Sequence, residues 1–158
     1  MKKYRKLIGT ISKILVLSDG SKTARRAIAY AVGLAKQLKA SIIALNVIDQ
    51  RLLIAQTVSA SGTASATLLP IEDYLNEAAE RYTGEIKKLC DKNGVASRIF
   101  TKTGHPVAEI VKEAKSSKAD LIVMGSGGSS ALSATALGSV SYGVIHNDIG
   151  WCRILSIP

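Results

Sequence analysis

The sequence predicts a single-domain α/β fold in which helices cover both faces of a parallel sheet. Short apolar segments alternate along the chain with longer segments of helical periodicity, as parallel strands joined by crossover helices require. The apolar segments are rich in Ile, Val and Leu, which is typical of strands buried on both faces. At 158 residues the chain has the length of one ordinary domain.

The first half of the chain is predicted to contain two strands and one helix. Residues 13–18 form an apolar run that predicts a buried strand, and residues 19–21 form the turn after it. Residues 22–38 carry small and apolar side chains at helical spacing, with a serine placed to cap the first turn. Residues 41–48 predict the second strand. Residues 51–69 are rich in Ser, Thr, Ala and Gly without any period, which predicts a long mobile connection of the kind that often carries function.

The second half is predicted to contain three strands and three helices. The helices start at Pro70, at Pro106 and at Gly138-Ser139, and the strands span residues 96–102, 119–123 and 152–157. Proline suits the first turn of a helix, where its missing N–H has no partner to lose. Asn93-Gly94 ends the first of these helices, and the polar run at residues 115–118 ends the second. In the last helix, Val140, Val144 and Ile145 are predicted to form the apolar side.

A glycine-rich stretch, Met124-Gly125-Ser126-Gly127-Gly128, directly follows the fourth predicted strand. Because glycine has no Cβ, successive N–H groups in such a turn can approach an anion closely, and a following helix adds the positive end of its dipole. The stretch and the helix start at Gly138-Ser139 therefore predict a cradle for phosphate. Composition alone leaves a plain loop of small residues equally open, since short glycine motifs also occur by chance.

The carboxyl ends of the predicted strands are the expected ligand site, because open parallel sheets bind ligands where their strand order reverses. Asp19 follows the first strand and the glycine-rich stretch follows the fourth, so the two converge on one crevice if these strands are neighbours. Val47, near the end of the second strand, would supply an apolar wall. Taken alone, Asp19 could equally cap the first helix, and Val47 could be ordinary strand core.

The formal net charge of +9 is concentrated at the start of the chain. Five cations lie there with no acid among them: Lys2, Lys3, Arg5, Lys6 and Lys13. Without them the chain carries 16 basic and 12 acidic side chains. A basic arm of this kind is either a solvated tail or a contact to an acidic partner or to nucleic acid. Only five Tyr, one Phe and one Trp are present, which argues against base stacking and so against nucleic acid as a partner.

Membrane, metal and several nucleotide-enzyme classes are disfavoured by what the sequence lacks. No apolar run approaches the ~20 residues that span a bilayer, and no signal peptide is evident, so a cytoplasmic protein is predicted. Cys90 and Cys152 match no metal or redox spacing, and His105 and His146 have no partner at zinc-ligand spacing. The phosphate loop Gly-x-x-x-x-Gly-Lys-Ser/Thr is absent, and the first strand lacks the dinucleotide-binding glycines. The glycine-rich stretch also lacks the Asp of the ATP pyrophosphatase loop.

Both halves of the chain resemble the universal stress protein family. The spacing Gly125-x-x-Gly128, nine residues, then Gly138-Ser139 is similar to the ATP-binding signature of that family. Residues 14–21 resemble its opening strand and turn, while Gly104-x-Pro106 and residues 119–125 resemble its second half. The resemblance covers about residues 13–158, which would form one universal stress protein domain after a basic extension at residues 1–12.

The resemblance implies an adenosine nucleotide bound at the switch point of a Rossmann-like (adenine nucleotide alpha hydrolase-like) sheet of five parallel strands in the order 3-2-1-4-5. The site residues that it implies are Ser18, Asp19, Val47, Met124, Gly125, Gly127, Gly128, Gly138, Ser139, Val140 and Ser141. Asp19 would bond the ribose or base and Val47 would lie near the adenine. The loop glycines would line the phosphate path, and residues 138–141 would close on the phosphates. Ser139 and Ser141 could instead satisfy free N–H groups at a helix start.

The function implied is that of an ATP-binding stress-response or signalling protein, whose nucleotide orders loops and regulates contacts with a partner or a second subunit. Two alternatives stay open: an interaction module of the same fold that does not bind ATP, and a slow Mg-dependent ATPase. No catalytic or metal-ligating residue is predicted, and any Mg²⁺ would be held mainly by the phosphates and water. A homodimer through the C-terminal strand is expected from the family. The link at residues 147–151 is longer than usual, which leaves the dimer geometry open.

Overall fold

The structure is a computed structural model that describes residues 10–51, 53–54, 68–127, 138–147, 149–150 and 152–158. Its strands are β1 (Lys13–Ser18), β2 (Ser41–Asp49), β3 (Ser97–Gly104), β4 (Leu121–Gly125) and β5 (Arg153–Ile157). Its helices are α1 (Lys22–Leu38), α2 (Leu68–Lys92), α3 (Pro106–Ser117) and α4 (Ser139–Ile145). All pairings within the sheet are parallel, and the strand order is β3-β2-β1-β4-β5. The predicted fold class and strand order are confirmed.

Two apolar layers enclose the sheet, because alternate side chains of each strand point to opposite faces. Ile14 and Val16 of β1 pack with α1 and α2, whereas Leu15, between them, packs with α3 and α4. All three are fully buried, and full burial of such a side chain contributes about 1.5–3 kcal/mol. The two layers hold the helices at fixed positions above the strand ends.

Three details differ from the sequence-based prediction. Helix α2 begins at Leu68, two residues before Pro70, because the first N–H groups of a helix have no partner within it and proline can occupy that turn. Residues 50–51 and 53–54 are helical, although no period was visible there. Ile145 is 42% exposed, so its assignment to the apolar side of α4 is wrong, whereas Val144 is fully buried. Among the described residues, no helix is long and apolar enough to cross a membrane.

The strand order reverses between β1 and β4, and these two strands part at their carboxyl ends. Strand β1 pairs with β2 as far as Ser18 and Asn46. Its pairing with β4 ends earlier, at Val16 and Val123. A crevice therefore opens beyond these pairs, at the switch point where such sheets bind ligands.

Candidate functional site

One wall of the crevice is the turn that joins β1 to α1, and its polar groups bond within the turn. The carboxylate of Asp19 accepts a hydrogen bond from the Ser21 N–H at 2.9 Å. The Ser21 hydroxyl oxygen accepts one from the Ala24 N–H at 3.1 Å and caps α1. Ser21 is thus the helix cap, as predicted, and Asp19 braces the capping residue. A carboxylate has about four lone-pair sites, so Asp19, which is exposed, keeps capacity for another donor.

Glycine is required at position 20, at the centre of this turn, by the backbone conformation and by a neighbouring ring. Its φ of +76° lies in the left-handed region that glycine adopts without strain. A Cβ at this position would lie 2.3 Å from the Tyr82 ring of α2. Beside the contact is a pocket of about 110 Å³, lined by both helices, and Arg25 and Glu85 are among its lining residues. The turn is therefore held in place from the α2 side.

The opposite wall is formed by the glycine-rich end of β4, which packs closely against α1. A Cβ on Gly125 would lie 2.7 Å from the Thr23 hydroxyl oxygen and 2.9 Å from the Thr23 carbonyl carbon. The Thr23 hydroxyl also donates a hydrogen bond to the Gly127 carbonyl. Thr23 was missed by sequence reasoning, because its partner lies 104 residues further along the chain. This bond places the β1–α1 turn and the glycine loop side by side, as the predicted crevice requires.

Helix α4 closes the far side of the loop with its own N-terminus. Gly138 is the N-cap residue, and as a glycine it has no side chain with which to cap the helix. The Gly138 N–H donates to the Ser126 carbonyl at 2.7 Å. The Ser141 hydroxyl donates to the Gly125 carbonyl at 2.8 Å, and Ser141 is only 5% exposed, whereas Ser139 is exposed. The two predicted serines therefore differ, since only Ser139 presents its hydroxyl to solvent.

The remaining predicted residues contribute mainly through the backbone or through apolar surface. The side chains of Ser18 and Met124 are buried, at 6% and 2% exposure. The Ser18 carbonyl accepts a hydrogen bond from the Asn46 side-chain amide at 2.7 Å, which ties β1 to β2 at the crevice. Val47, the next residue of β2, is half-buried against the apolar layer of α3 and α4, as is Val140. Gly128 lies outside the described residues.

The described part of the crevice offers backbone amides, hydroxyls and one carboxylate, which suit a sugar and a phosphate chain better than a bare metal ion. No group of three metal-ligating side chains occurs among the described residues. The nearby Asp49 is paired with Arg51, whose guanidinium donates hydrogen bonds from two N–H groups to its carboxylate. These bonds hold the pKa of the Asp49 carboxyl below its usual value. Burial raises the pKa of both cysteine thiols, that of Cys152 to about 11, so neither is a reactive thiolate near neutral pH.

Comparison with known proteins shows which family shares this arrangement. A model of the universal stress protein family matches residues 10–147. Universal stress protein MJ0531 of Methanocaldococcus jannaschii is 34% identical over 145 residues, covering 92% of this chain and 81% of the relative. Universal stress protein MJ0577 of the same organism is 35% identical over 145 residues, covering 86% of this chain and 89% of the relative.

Solved structures share the fold over almost the whole chain. The structure of MJ0577 matches with a TM-score of 0.76 at 29% identity, covering 94% of this chain and 96% of that one. A universal stress protein in complex with cAMP matches at 0.67 and 21% identity, covering 94% and 98%. One from Archaeoglobus fulgidus in complex with dAMP matches at 0.64 and 18%, covering 95% and 100%. By its sequence and by this fold, the chain belongs to the universal stress protein family.

Proposed function

We propose that the crevice between β1 and β4 binds an adenine nucleotide, ATP in the first instance, and that the bound nucleotide regulates contacts of this protein. The observation that carries the proposal is the uncapped N-terminus of α4 beside the glycine loop. The first amides of a helix have no acceptor within the helix, and here the N-cap residue is a glycine, which has no side chain to cap them. Phosphate oxygens are suitable acceptors for such groups. Two structural relatives described as complexes with cAMP and dAMP support the adenine nucleotide as ligand class.

The proposed contacts match each part of the nucleotide with the chemical groups that the crevice presents to it. Asp19 bonds the ribose or base with the part of its carboxylate that Ser21 leaves available, and Val47 packs near the adenine. The phosphate path is lined by main chain at Ser18, Met124, Gly125, Gly127 and Gly128. Residues Gly138, Ser139, Val140 and Ser141 close on the phosphates. Mg²⁺ would bridge phosphate oxygens and water, because the described residues contain no carboxylate cluster to hold it.

The glycine loop is bonded directly to the last strand, which gives nucleotide binding a route to a partner surface. The Ser126 N–H donates to the Ile157 carbonyl at 2.7 Å, while the Ser126 carbonyl accepts from Gly138. Strand β5 lies at the edge of the sheet. A nucleotide that orders the loop would therefore also fix the end of an edge strand, and edge strands readily pair with a second chain. A homodimer through β5 is part of the proposal.

The proposed role is regulation and not hydrolysis. The polar groups on the described walls are mostly bonded to each other, which suits a site that holds a ligand in a fixed pose. Phosphoryl transfer needs groups that position the attacking water and neutralise charge on the transferred phosphate. The described crevice shows amides for holding phosphate and no paired acid and base. Release of inorganic phosphate from ATP, measured with and without Mg²⁺, separates the two roles.

Substitution at Gly138 tests the proposal without threatening the fold. Its φ of −62° and ψ of 153° are accessible to any residue, and Asp and Asn are both preferred at this helix position. Gly138→Asp puts a negative charge where the phosphates would bind, and Gly138→Asn is the uncharged control of the same shape. In calorimetric titration with ATP, we expect wild type to bind at millimolar affinity or tighter. We expect the Asp variant to bind at least 10-fold more weakly than the Asn variant, about 1.4 kcal/mol.

Two results would contradict the proposal. One is the absence of ATP, ADP and AMP binding by wild type at millimolar concentration, together with no nucleotide in mass spectra of gently purified protein. The other is equal affinity of the Asp and Asn variants, which would mean that phosphate does not lie at the start of α4.

A further inference from the structure

The amino edge of the sheet, opposite to the crevice, carries a cluster of exposed cationic side chains. These are Lys13, Lys39, Lys115, Lys118 and Arg153, named here the amino-edge cluster. Lys13 and Arg153 begin β1 and β5, and the three others lie at the ends of α1 and α3. Because each helix of a parallel α/β fold runs antiparallel to the strands, helix ends and strand starts meet at one edge.

Hydrogen bonds across this edge place the starts of β1, β2 and β5 and the end of α3 side by side. The Lys13 ammonium donates to the Ser117 carbonyl at the end of α3, at 3.1 Å. The N–H of Arg153 donates to the Asp120 carbonyl at 3.1 Å, two residues after Lys118. On the other side of β1, the Ser41 N–H donates to the Ser12 carbonyl at 2.9 Å, two residues after Lys39.

The positive charge of the amino-edge cluster is offset in the described chain by one neighbouring carboxylate, that of Asp120, which interacts electrostatically with Lys13. Its neighbouring carboxylate, Asp120, accepts hydrogen bonds from the N–H groups of Ser12 and Lys13 and from the Ser12 hydroxyl. The ion pairs among the described residues join Arg51 with Asp49, Lys87 with Asp91 and Lys102 with Glu113. None of them involves the amino-edge cluster, so it presents its charge to solvent.

Two of the lysines occupy a backbone conformation that favours glycine. Lys39 and Lys118, with φ of 55° and 53°, are the non-glycine residues of positive φ in the described chain. Both end a helix in the left-handed conformation, where glycine or asparagine is usual. A cation near a helix C-terminus is favoured by the helix dipole, but Lys36 and Lys115 already supply one in the last turns. Glycine at these two positions would therefore relieve backbone strain while lowering the charge of this edge.

We propose that the amino-edge cluster binds duplex nucleic acid through its phosphate backbone, without reading the base sequence. The residues extend from β5 to the start of β2, three strand spacings or roughly 14 Å, which matches about four phosphates of one strand at 3.4 Å axial rise. The cluster holds no aromatic side chain, so bases cannot stack on it, whereas contacts to phosphate need none.

A charged membrane is the less suitable partner for this edge. Surfaces that dock on lipid combine cations with apolar or aromatic groups that enter the headgroup layer. Of the large apolar side chains exposed in the described chain, Leu38 is the one adjacent to the cluster. The low aromatic content of the sequence argued against recognition of bases and leaves recognition of phosphate open.

Fluorescence anisotropy of a labelled 20-base-pair duplex, with the full chain and a series of NaCl concentrations, tests this proposal. Each neutralised phosphate contributes about −0.9 to the slope of log K against log salt, so four to five contacts give a slope of roughly −4. The decisive variant is Lys39→Gly/Lys118→Gly, which removes two charges while placing glycine where the backbone favours it. We expect a slope about 2 units shallower, at least 10-fold weaker binding at 50 mM NaCl, and an unchanged or higher thermal midpoint.

The control is Lys22→Gln/Arg25→Gln, which removes two exposed cations from the first turn of α1, at the opposite end of the sheet. It should bind within about 3-fold of wild type, since charge at a distance is screened by salt. Arg153→Gln alone is a second variant and should make the slope shallower by about 1 unit. The proposal is overturned if wild type shows no duplex binding at 50 mM NaCl, if the control weakens binding as much as the glycine pair, or if phosphatidylserine vesicles bind and the duplex does not.

Discussion

The line along which β1 and β4 pair, called here the seam, differs greatly between its two ends. At the amino end, the Asp120 N–H donates to the Lys13 carbonyl, and the Asp120 carboxylate accepts from Ser12 and Lys13. At the carboxyl end, pairing stops at Val16 and Val123, and the strands part. Two hydroxyls, of Thr23 and Ser141, then bond the carbonyls of the glycine loop.

Because of this difference, the same pair of strands is fully hydrogen-bonded at one end and open at the other. The closed end satisfies its backbone groups within the sheet, so it stabilises the fold and leaves only side chains, those of the amino-edge cluster, for a ligand. The parted end holds its carbonyls with hydroxyls and leaves the first amides of α4 without a side-chain cap. Backbone hydrogen bonding thus closes one end of the seam, while the strands separate at the other, which is the end where open parallel sheets bind ligands.

Gly20→Ala should have the largest effect on this comparison, because it disturbs the fixed wall of the parted end. The substitution combines a strained φ of +76° with a Cβ that would lie 2.3 Å from the Tyr82 ring. We expect the free energy of unfolding to fall by about 2–4 kcal/mol, measured by urea denaturation. Gly94→Ala, just after α2, is the matched control, because its φ of +66° is also left-handed but an added Cβ meets nothing within 4 Å. It should cost about 1–2 kcal/mol from the backbone alone. Equal effects of both would show that the Tyr82 contact does not hold the turn.

Thr23→Val tests whether the two walls of the crevice depend on one hydroxyl. Valine keeps the shape of the side chain but leaves the buried Gly127 residue without the donor to its carbonyl. We expect a loss of about 1–3 kcal/mol in the free energy of unfolding and weaker nucleotide binding, since the loop loses its tie to α1. Thr23→Ser retains the hydroxyl and should stay close to wild type in both measurements. If the serine variant also bound nucleotide weakly, the loss of affinity would come from the Thr23 methyl group and not from its hydroxyl.

Thr23 also shows where prediction from the sequence ends. Strand positions followed from apolar runs and the parallel α/β class from the alternation of elements, whereas the sheet order was implied by the family resemblance. The contact of Thr23 with Gly127 joins residues 104 positions apart, and no local pattern encodes it. Ser141 was predicted from the family signature, but whether its hydroxyl faces solvent or the Gly125 carbonyl depends on how α4 packs. Local pattern therefore predicted the elements, while the pairing of side chains depended on the tertiary structure.

Asp120→Asn tests the closed end and has a defined pH dependence. Partial burial raises the pKa of Asp120, but hydrogen bonds from the Ser12 and Lys13 amides outweigh it and hold that pKa below its ordinary value. A carboxyl with a lowered folded-state pKa stabilises the fold above its unfolded pKa, about 3.9, and loses that contribution as pH falls through the folded value. We expect the substitution to cost about 1–2 kcal/mol at pH 7 and to reduce the loss of stability below pH 4.

The control for the closed end is Asp91→Asn, which removes an exposed partner of Lys87. Surface pairs of this kind contribute about 0–1 kcal/mol, so the change at pH 7 should be small. Urea denaturation between pH 3 and pH 7 compares the two variants with wild type. If Asp120→Asn retained the full acid sensitivity of wild type, the carboxylate would not be what secures the amino end of the seam.

The smallest expected effects come from the two serines of α4, and they separate structural from ligand-binding roles at the parted end. Ser141→Ala removes a buried hydroxyl that donates to the Gly125 carbonyl, so it should lower the free energy of unfolding by about 0.5–1.5 kcal/mol. Ser139→Ala removes an exposed hydroxyl and should leave stability within about 0.5 kcal/mol. For ATP affinity we expect the reverse order, with Ser139→Ala weakening binding more, because its hydroxyl is free to meet a phosphate. If Ser141→Ala weakens binding more than Ser139→Ala does, the Ser141 hydroxyl must leave the Gly125 carbonyl for the nucleotide, and the parted end then rearranges when it binds.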